Sequence, residues 1–236
     1  MLKNAMEYLV GLARPTVIEV EGQNFSTVDL TRIKEQANVS ELQVNTLTGL
    51  VDYIKSQFDG EKQLMIQVKS PTDVRLFDAL DSTNDRRTYI QAKALLPTIT
   101  FERFIDREEF QIMMQANFVD NTDKQIVLDI ISNIVEDGSA EIKDNGMAQQ
   151  VTVKKGVASV GYETIPGRVA LKPFRTFAEV TQPESEFILR LREGSRVALF
   201  EADGGAWELN AIHSIKEHLT TELEEQIAAK KLFIIG

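Results

Sequence analysis

The chain has 236 residues, of which 43% are apolar and 26% charged, with no cysteine and a formal charge of −10. That length suits one large or two smaller globular domains with a substantial core, and the composition is that of an ordinary soluble protein. The lack of cysteine excludes disulfides, thiolate metal sites and cysteine nucleophiles and fits a reducing cytoplasm, while the negative charge disfavours nucleic acid and anionic membranes as partners.

In chain order, MLKNAMEYLVGLARP reads as an amphipathic first helix. Glu7 interrupts its apolar run, and Arg14 and Pro15 stand where a signal peptide would have small residues. No apolar run approaches the roughly 20 residues of a membrane span, so the expected location is the cytoplasm, with no membrane partner. TVIEVEGQNFSTVDL predicts two strands around a Gly22-Gln23-Asn24 turn. ELQVNTLTGLVDYIKSQF predicts a helix capped by Ser40 and ended by Asp59-Gly60, with Leu42, Leu47, Leu50, Val51 and Ile54 on one face. Three strands follow, QLMIQVKS, DVRLFDAL and RRTYIQAKALL, the first ended by Pro71 and the last by Pro97.

Two helices come next. FERFIDREEFQIMMQANF spaces Phe110, Met113, Met114 and Phe118 by three and four, and NTDKQIVLDIISNIVEDG does the same with Ile126, Ile130, Ile131 and Ile134. Met113 and Met114 are expected in the core rather than on a plastic binding surface. From Ser139 to Leu199 strand signals alternate with turn residues, and Asp144-Asn145-Gly146 is a hairpin signal. AIHSIKEHLTTELEEQIAAKK predicts an amphipathic helix with Ile212, Ile215, Leu219, Leu223 and Ile227 on its face, and LFIIG a terminal strand. The expected fold class is α+β, with a mixed N-terminal half containing several helices and a β-rich C-terminal half closed by a helix. A boundary between Asp137 and Ser139 gives regions 1–138 and 139–236, which can also form one compact domain.

Motifs for catalysis are missing. His213 and His218 point about 140° apart on a helix and cannot share a metal as an i, i+4 pair does. There is no HExxH, GxSxG, GxxxxGK[ST] or GxGxxG pattern, and neither DNTDKQ nor DSTNDRR continues as a calcium loop. Glu108-Glu109 and Glu224-Glu225 diverge on their helices and read as solvated faces. No catalytic residue, cofactor or metal ligand is expected from local pattern, although a carboxylate site built from distant residues stays open.

Charge is segregated. Between Lys154 and Arg196 eight basic residues face five acidic ones, a local +3 that leaves −13 on the rest. Arg168, Lys172, Arg175, Arg190 and Arg192 are the candidate anion-binding residues; the alternatives are a solvated strand face and a surface that meets the acidic part of a neighbouring subunit. In FILRLR, read as a strand, Arg190 and Arg192 share one face and Leu189 and Leu191 the other. FEADGGAW, residues 200 to 207, sets Glu201 and Asp203 beside two glycines. With SRVALF and AWELNAI both read as strands, it predicts a tight hairpin with Trp207 packed across from Phe200.

The runs LKPFRTFAEVTQPESEFILRLR and VALFEADGGAWELNAIHSIKEHL resemble the C-terminal signature of the YfdQ-like phage and prophage proteins, a family defined as a domain of unknown function. Arg175, Phe177, Gln182, Pro183, Glu184, Ser185, Arg190, Asp203, Gly204, Gly205 and Trp207 carry the resemblance, which spans residues 171 to 219. It implies phage or prophage origin in a bacterial cytoplasm, and it supplies no catalytic residues. The leading expectation is a non-enzymatic phage accessory protein that forms a homo-oligomer and acts by assembly or by binding a host protein. The alternative is a module that sequesters a small anion or nucleotide through the five basic residues. A metal-dependent hydrolase using Glu201, Asp203 and distant carboxylates ranks third.

Overall fold

The computed structural model describes residues 16–26, 40–60, 62–81, 84–134, 143–144, 149–154 and 160–236; of the expected first helix it describes only Lys3 and Met6, both helical. The chain divides into two units, residues 1–39 and residues 40–236. In the first, β1 (Val17–Val20) and β2 (Gln23–Ser26) pair as an antiparallel hairpin. Its turn is Glu21-Gly22, with φ of 51° and 77°, the two-residue geometry that matches strand twist. The expected turn at Gly22-Gln23-Asn24 is therefore shifted, and Gln23 and Asn24 belong to β2.

The second unit runs β3 (Leu42–Val44), α1 (Leu47–Ser56), β4 (Leu64–Ser70), β5 (Asp73–Asp78), β6 (Thr88–Lys93), α2 (Arg107–Asn117) and α3 (Thr122–Asn133). It continues through β7 (Lys143–Asp144), β8 (Gln149–Lys154), β9 (Val160–Ile165), β10 (Val169–Leu171), β11 (Ser185–Arg192) and β12 (Arg196–Glu201). It closes with α4 (Ala206–Glu222), α5 (Glu224–Ala228) and β13 (Leu232–Ile235). The fold is α+β, as expected.

Five strands form a mixed sheet in the order β13-β4-β5-β6-β3, an antiparallel meander flanked by two parallel edge strands. Alternation sends Ile66, Val68, Val74 and Leu76 to one face, where they meet Leu50 and Ile54 of α1 and Ile215 and Leu219 of α4. Each such side chain, fully buried, contributes about 1.5–3 kcal/mol. The Lys55–Glu222 ion pair at 3.2 Å joins the two helices outside this core. A second core lies between α2 and α3 and the antiparallel β10-β11-β12 sheet, where Phe110, Met114 and Ile131 meet Phe187, Leu189 and Val197. Met113 and Met114 are both buried.

Side chains cover the open edges of this second sheet. Asn121 Nδ2 donates to the Ala170 carbonyl at 2.8 Å and Asp123 accepts from the Ala170 N–H at 2.7 Å, so two residues at the start of α3 stand in for a strand beside β10. Gln149 does the same for β11, accepting from the Leu191 N–H at 2.8 Å and donating to its carbonyl at 3.2 Å. That contact docks the β7-β8-β9 sheet and removes an edge at which another strand could add. β7 and β8 pair antiparallel, as the Asp144-Asn145-Gly146 signal predicts, with residues 145–148 outside the described set.

Three further expectations are corrected. The first concerns α1, which starts at Leu47: its N-cap is Thr46, whose hydroxyl accepts from the Gly49 N–H at 3.0 Å, so Ser40 is not the cap. Leu42 belongs instead to β3, which pairs parallel with β6 through Leu42↔Ile90 and Val44↔Ala92; sheet pairing overrides the helical spacing. Second, α2 starts at Arg107 after the Asp106 cap, because the FERFID segment pairs along β12 through Ile105 and Val197. Third, α3 is rotated so that Val127 is buried and Ile126 exposed. The expected boundary at 137–139 lies outside the described residues. β13 lies beside β4 in one sheet, so the two halves of the sequence interleave.

Candidate functional site

FEADGGAW is a strand-to-helix turn. β12 ends at Glu201, Gly204 and Gly205 take φ of 63° and 83°, and α4 begins at Ala206. Asp203 accepts from the Gly205 N–H at 3.1 Å and from the Trp207 N–H at 3.3 Å. Its carboxylate thus satisfies N–H groups that a helix start leaves without partners. The expected hairpin is overturned because AWELNAI is helical; its short alternation belongs to the first turns of a longer helix. Trp207 does not pack across from Phe200, which instead meets Phe104 edge-on at 6.1 Å.

Trp207 covers Arg175, whose guanidinium carbon lies 3.9 Å from the indole centroid and 5.7 Å from the Phe187 ring. Arg175 Nη1 donates to Glu201 at 2.8 Å and Nη2 donates to the Ser185 hydroxyl, while Nε is buried without a partner. Arg175 is only 6% exposed. Burial pushes its guanidinium down to about 10, against the pull of Glu201 and Asp203, so it stays charged at neutral pH.

Gln182 organises the loop around it. Its carbonyl accepts from the N–H groups of Arg175 at 2.9 Å and Thr176 at 3.2 Å, and its amide donates to the Phe177 carbonyl at 3.0 Å. Thr176 Oγ1 donates to the Pro71 carbonyl at 2.6 Å. Phe177 and Val180 enter the core of the five-stranded sheet, whereas Phe187, just beyond QPES, enters the other. Residues of QPES and LFEADGG therefore build a junction between two cores. Sequence reading placed Arg175 in an anion site and Trp207 in a hairpin, and missed that they meet.

The remaining basic candidates lie outside the junction. Arg168 pairs with Glu186, and Lys172 with Glu184 at 3.4 Å. Arg190 donates to the Leu189 carbonyl at 3.1 Å, and Arg192 stacks on Phe104 at 3.9 Å. Leu189 and Leu191 are buried on the opposite face of β11, in the alternation expected. His213 is paired with Glu217 at 3.1 Å on the exposed face of α4. Among the described residues no group of three or more His, Asp or Glu is placed to hold a metal ion, and no helix is long and apolar enough to cross a membrane.

An apolar surface lies on the β1–β2 hairpin. Ile18 sits opposite Phe25, and Val20 shares their face. They are 51%, 47% and 51% exposed in the single chain. In comparisons with known proteins the chain matches no family model, no curated protein and no solved structure.

Proposed function

We propose that this chain is a non-enzymatic binding protein that acts as a homo-oligomer, the kind of accessory role in a phage or prophage that the resemblance of residues 171–219 implies. The observation that carries the proposal is the β1–β2 hairpin, with Ile18, Val20 and Phe25 exposed on one face. Contiguous exposed apolar patches mark interaction surfaces, and a twofold contact needs only one self-complementary patch per copy. A second copy of the hairpin face fits both. Because each chain carries −10, screening the mutual repulsion strengthens an apolar contact of this kind as salt rises. The reading with an anion at Arg168, Lys172, Arg175, Arg190 and Arg192 has weaker support, since Glu186, Glu184 and Glu201 already pair with three of them.

Light scattering with mass determination tests the proposal. The intact chain is expected to show a dimer or larger species at micromolar concentration, more so at high salt, and the Ile18→Ser/Phe25→Ser variant is expected to be monomeric. A strict monomer, or a double variant of unchanged mass, overturns it.

A further inference from the structure

Away from the Arg175 junction, a cleft opens where the C-terminal turn of α1 meets the starts of β4, β6 and β13. Its empty space, open water included, is about 530 Å³. Ile54, Leu64 and Leu232 give it an aliphatic lining, and the rings of Tyr53, Phe58 and Tyr89 complete it.

Phe58 is 84% exposed, although its loop is held in place. The Ser56 hydroxyl donates to the Tyr53 carbonyl at 2.8 Å and accepts from the Phe58 N–H at 3.3 Å. The Gly60 N–H donates to the Gln57 carbonyl at 2.9 Å, and both residues take positive φ, 51° at Gln57 and 85° at Gly60. A bare aromatic ring on a hydrogen-bonded loop, beside an apolar cleft, has a cost in water that a stacked ligand removes.

The charged groups of the cleft are already engaged. The Tyr53 hydroxyl donates to Asp59, and burial together with that carboxylate pushes it well above the ordinary phenol range, so it remains a neutral donor. Lys62 donates to the Tyr89 oxygen at 2.8 Å, and the Tyr89 hydroxyl faces Asp78 at 3.3 Å. Gln57 and Gln226 also line the cleft, and neither side-chain amide bonds to another described residue. An amide presents two donors and an acceptor in one plane, the match for the polar edge of a flat heterocycle. A purely aliphatic ligand would use neither amide, and a bare anion would meet a mostly apolar wall, with Asp59 as well as Lys62 and Lys231 at the cleft.

We propose that this cleft binds a planar heteroaromatic molecule of nucleobase type, its faces stacked on Phe58 and the two tyrosines and its edge bonded to Gln57 and Gln226. The proposal does not rest on self-association. Saturation-transfer NMR and titration of the intact chain with adenosine as the probe, and cyclohexanol as the aliphatic control, test it. Adenosine is expected to bind at concentrations where cyclohexanol does not. Phe58→Ala, which removes an exposed ring and leaves the circular dichroism spectrum intact, is expected to weaken adenosine about tenfold by loss of base stacking. The proposal is overturned if adenosine shows no transfer at millimolar concentration, if cyclohexanol binds equally well, or if Phe58→Ala keeps the original affinity.

Discussion

Arg175 carries a full charge where only 6% of the residue reaches solvent, and its environment shows how that is tolerated. Glu201 supplies the counter-charge at 2.8 Å, Ser185 takes a second N–H, and Trp207 covers the plane of the guanidinium. Arginine suits this position because its flat, delocalised cation stacks on a ring and bonds through a fork at once. Removing one partner of a buried ion pair costs about 3–5 kcal/mol, chiefly because the other charge is left unpaired. Glu201 is 36% exposed and can turn to water, so Arg175→Met is expected at the low end, a loss of about 3 kcal/mol in urea denaturation. Arg168→Met, at a surface pair with Glu186, serves as the control and is expected to change stability by less than about 0.5 kcal/mol. Equal effects of the two substitutions would show that the junction is not held by its arginine.

The same junction depends on how α4 begins. Asp203 binds the N–H of Gly205, just before the helix, and that of Trp207 in its first turn, and Gly205, at φ 83°, has nothing within 4 Å of where a Cβ would stand. Asp203→Ala is therefore expected to cost about 1 kcal/mol through the lost cap. Gly205→Ala is expected to cost about 1–2 kcal/mol through left-handed strain alone, with no steric clash to add to it. Chemical denaturation checks both, and a neutral Asp203→Ala would show that the helix start is held by packing instead. This turn also marks what the sequence could and could not reveal. β4 and β5 were legible because alternating apolar residues and Pro71 bound them, and α2 because Phe110, Met113 and Met114 repeat at helical spacing. FEADGGAW was misread because Asp-Gly-Gly suits a hairpin and a helix cap equally, and only the partner of Trp207 decides between them. Leu42 was misread for a similar reason: its spacing fits α1, but a pairing with Ile90, distant in sequence, outweighs it. At the junction, the residue types of Arg175, Gln182 and Asp203 were visible, while their contacts depend on segments that meet only in the folded chain. The cleft beside Phe58 draws on residues from Tyr53 to Leu232, and no local pattern announces it.

At the scale of the whole molecule, the two cores settle which part of the chain can stand alone. Among the described residues, every buried residue of both cores lies between Leu47 and Leu232, and the five-stranded sheet needs β13 beside β4 and α4 across its face. A cut near residue 138 would strip that sheet of a strand and a helix, whereas a cut between Val39 and Ser40 follows the division between the two units. A chain of residues 40–236 is accordingly expected to unfold cooperatively in urea, with a midpoint close to that of the full chain, and one of residues 1–138 is expected not to. The shorter chain also separates stability from assembly, because it keeps both cores and lacks the hairpin face of Ile18, Val20 and Phe25. If that face is the contact between copies, residues 40–236 are monomeric by light scattering at concentrations where the full chain is not. Association that persists after the cut would move the contact into the second unit, where the edge strand β13 carries Phe233 and Ile235 at 48% and 44% exposure.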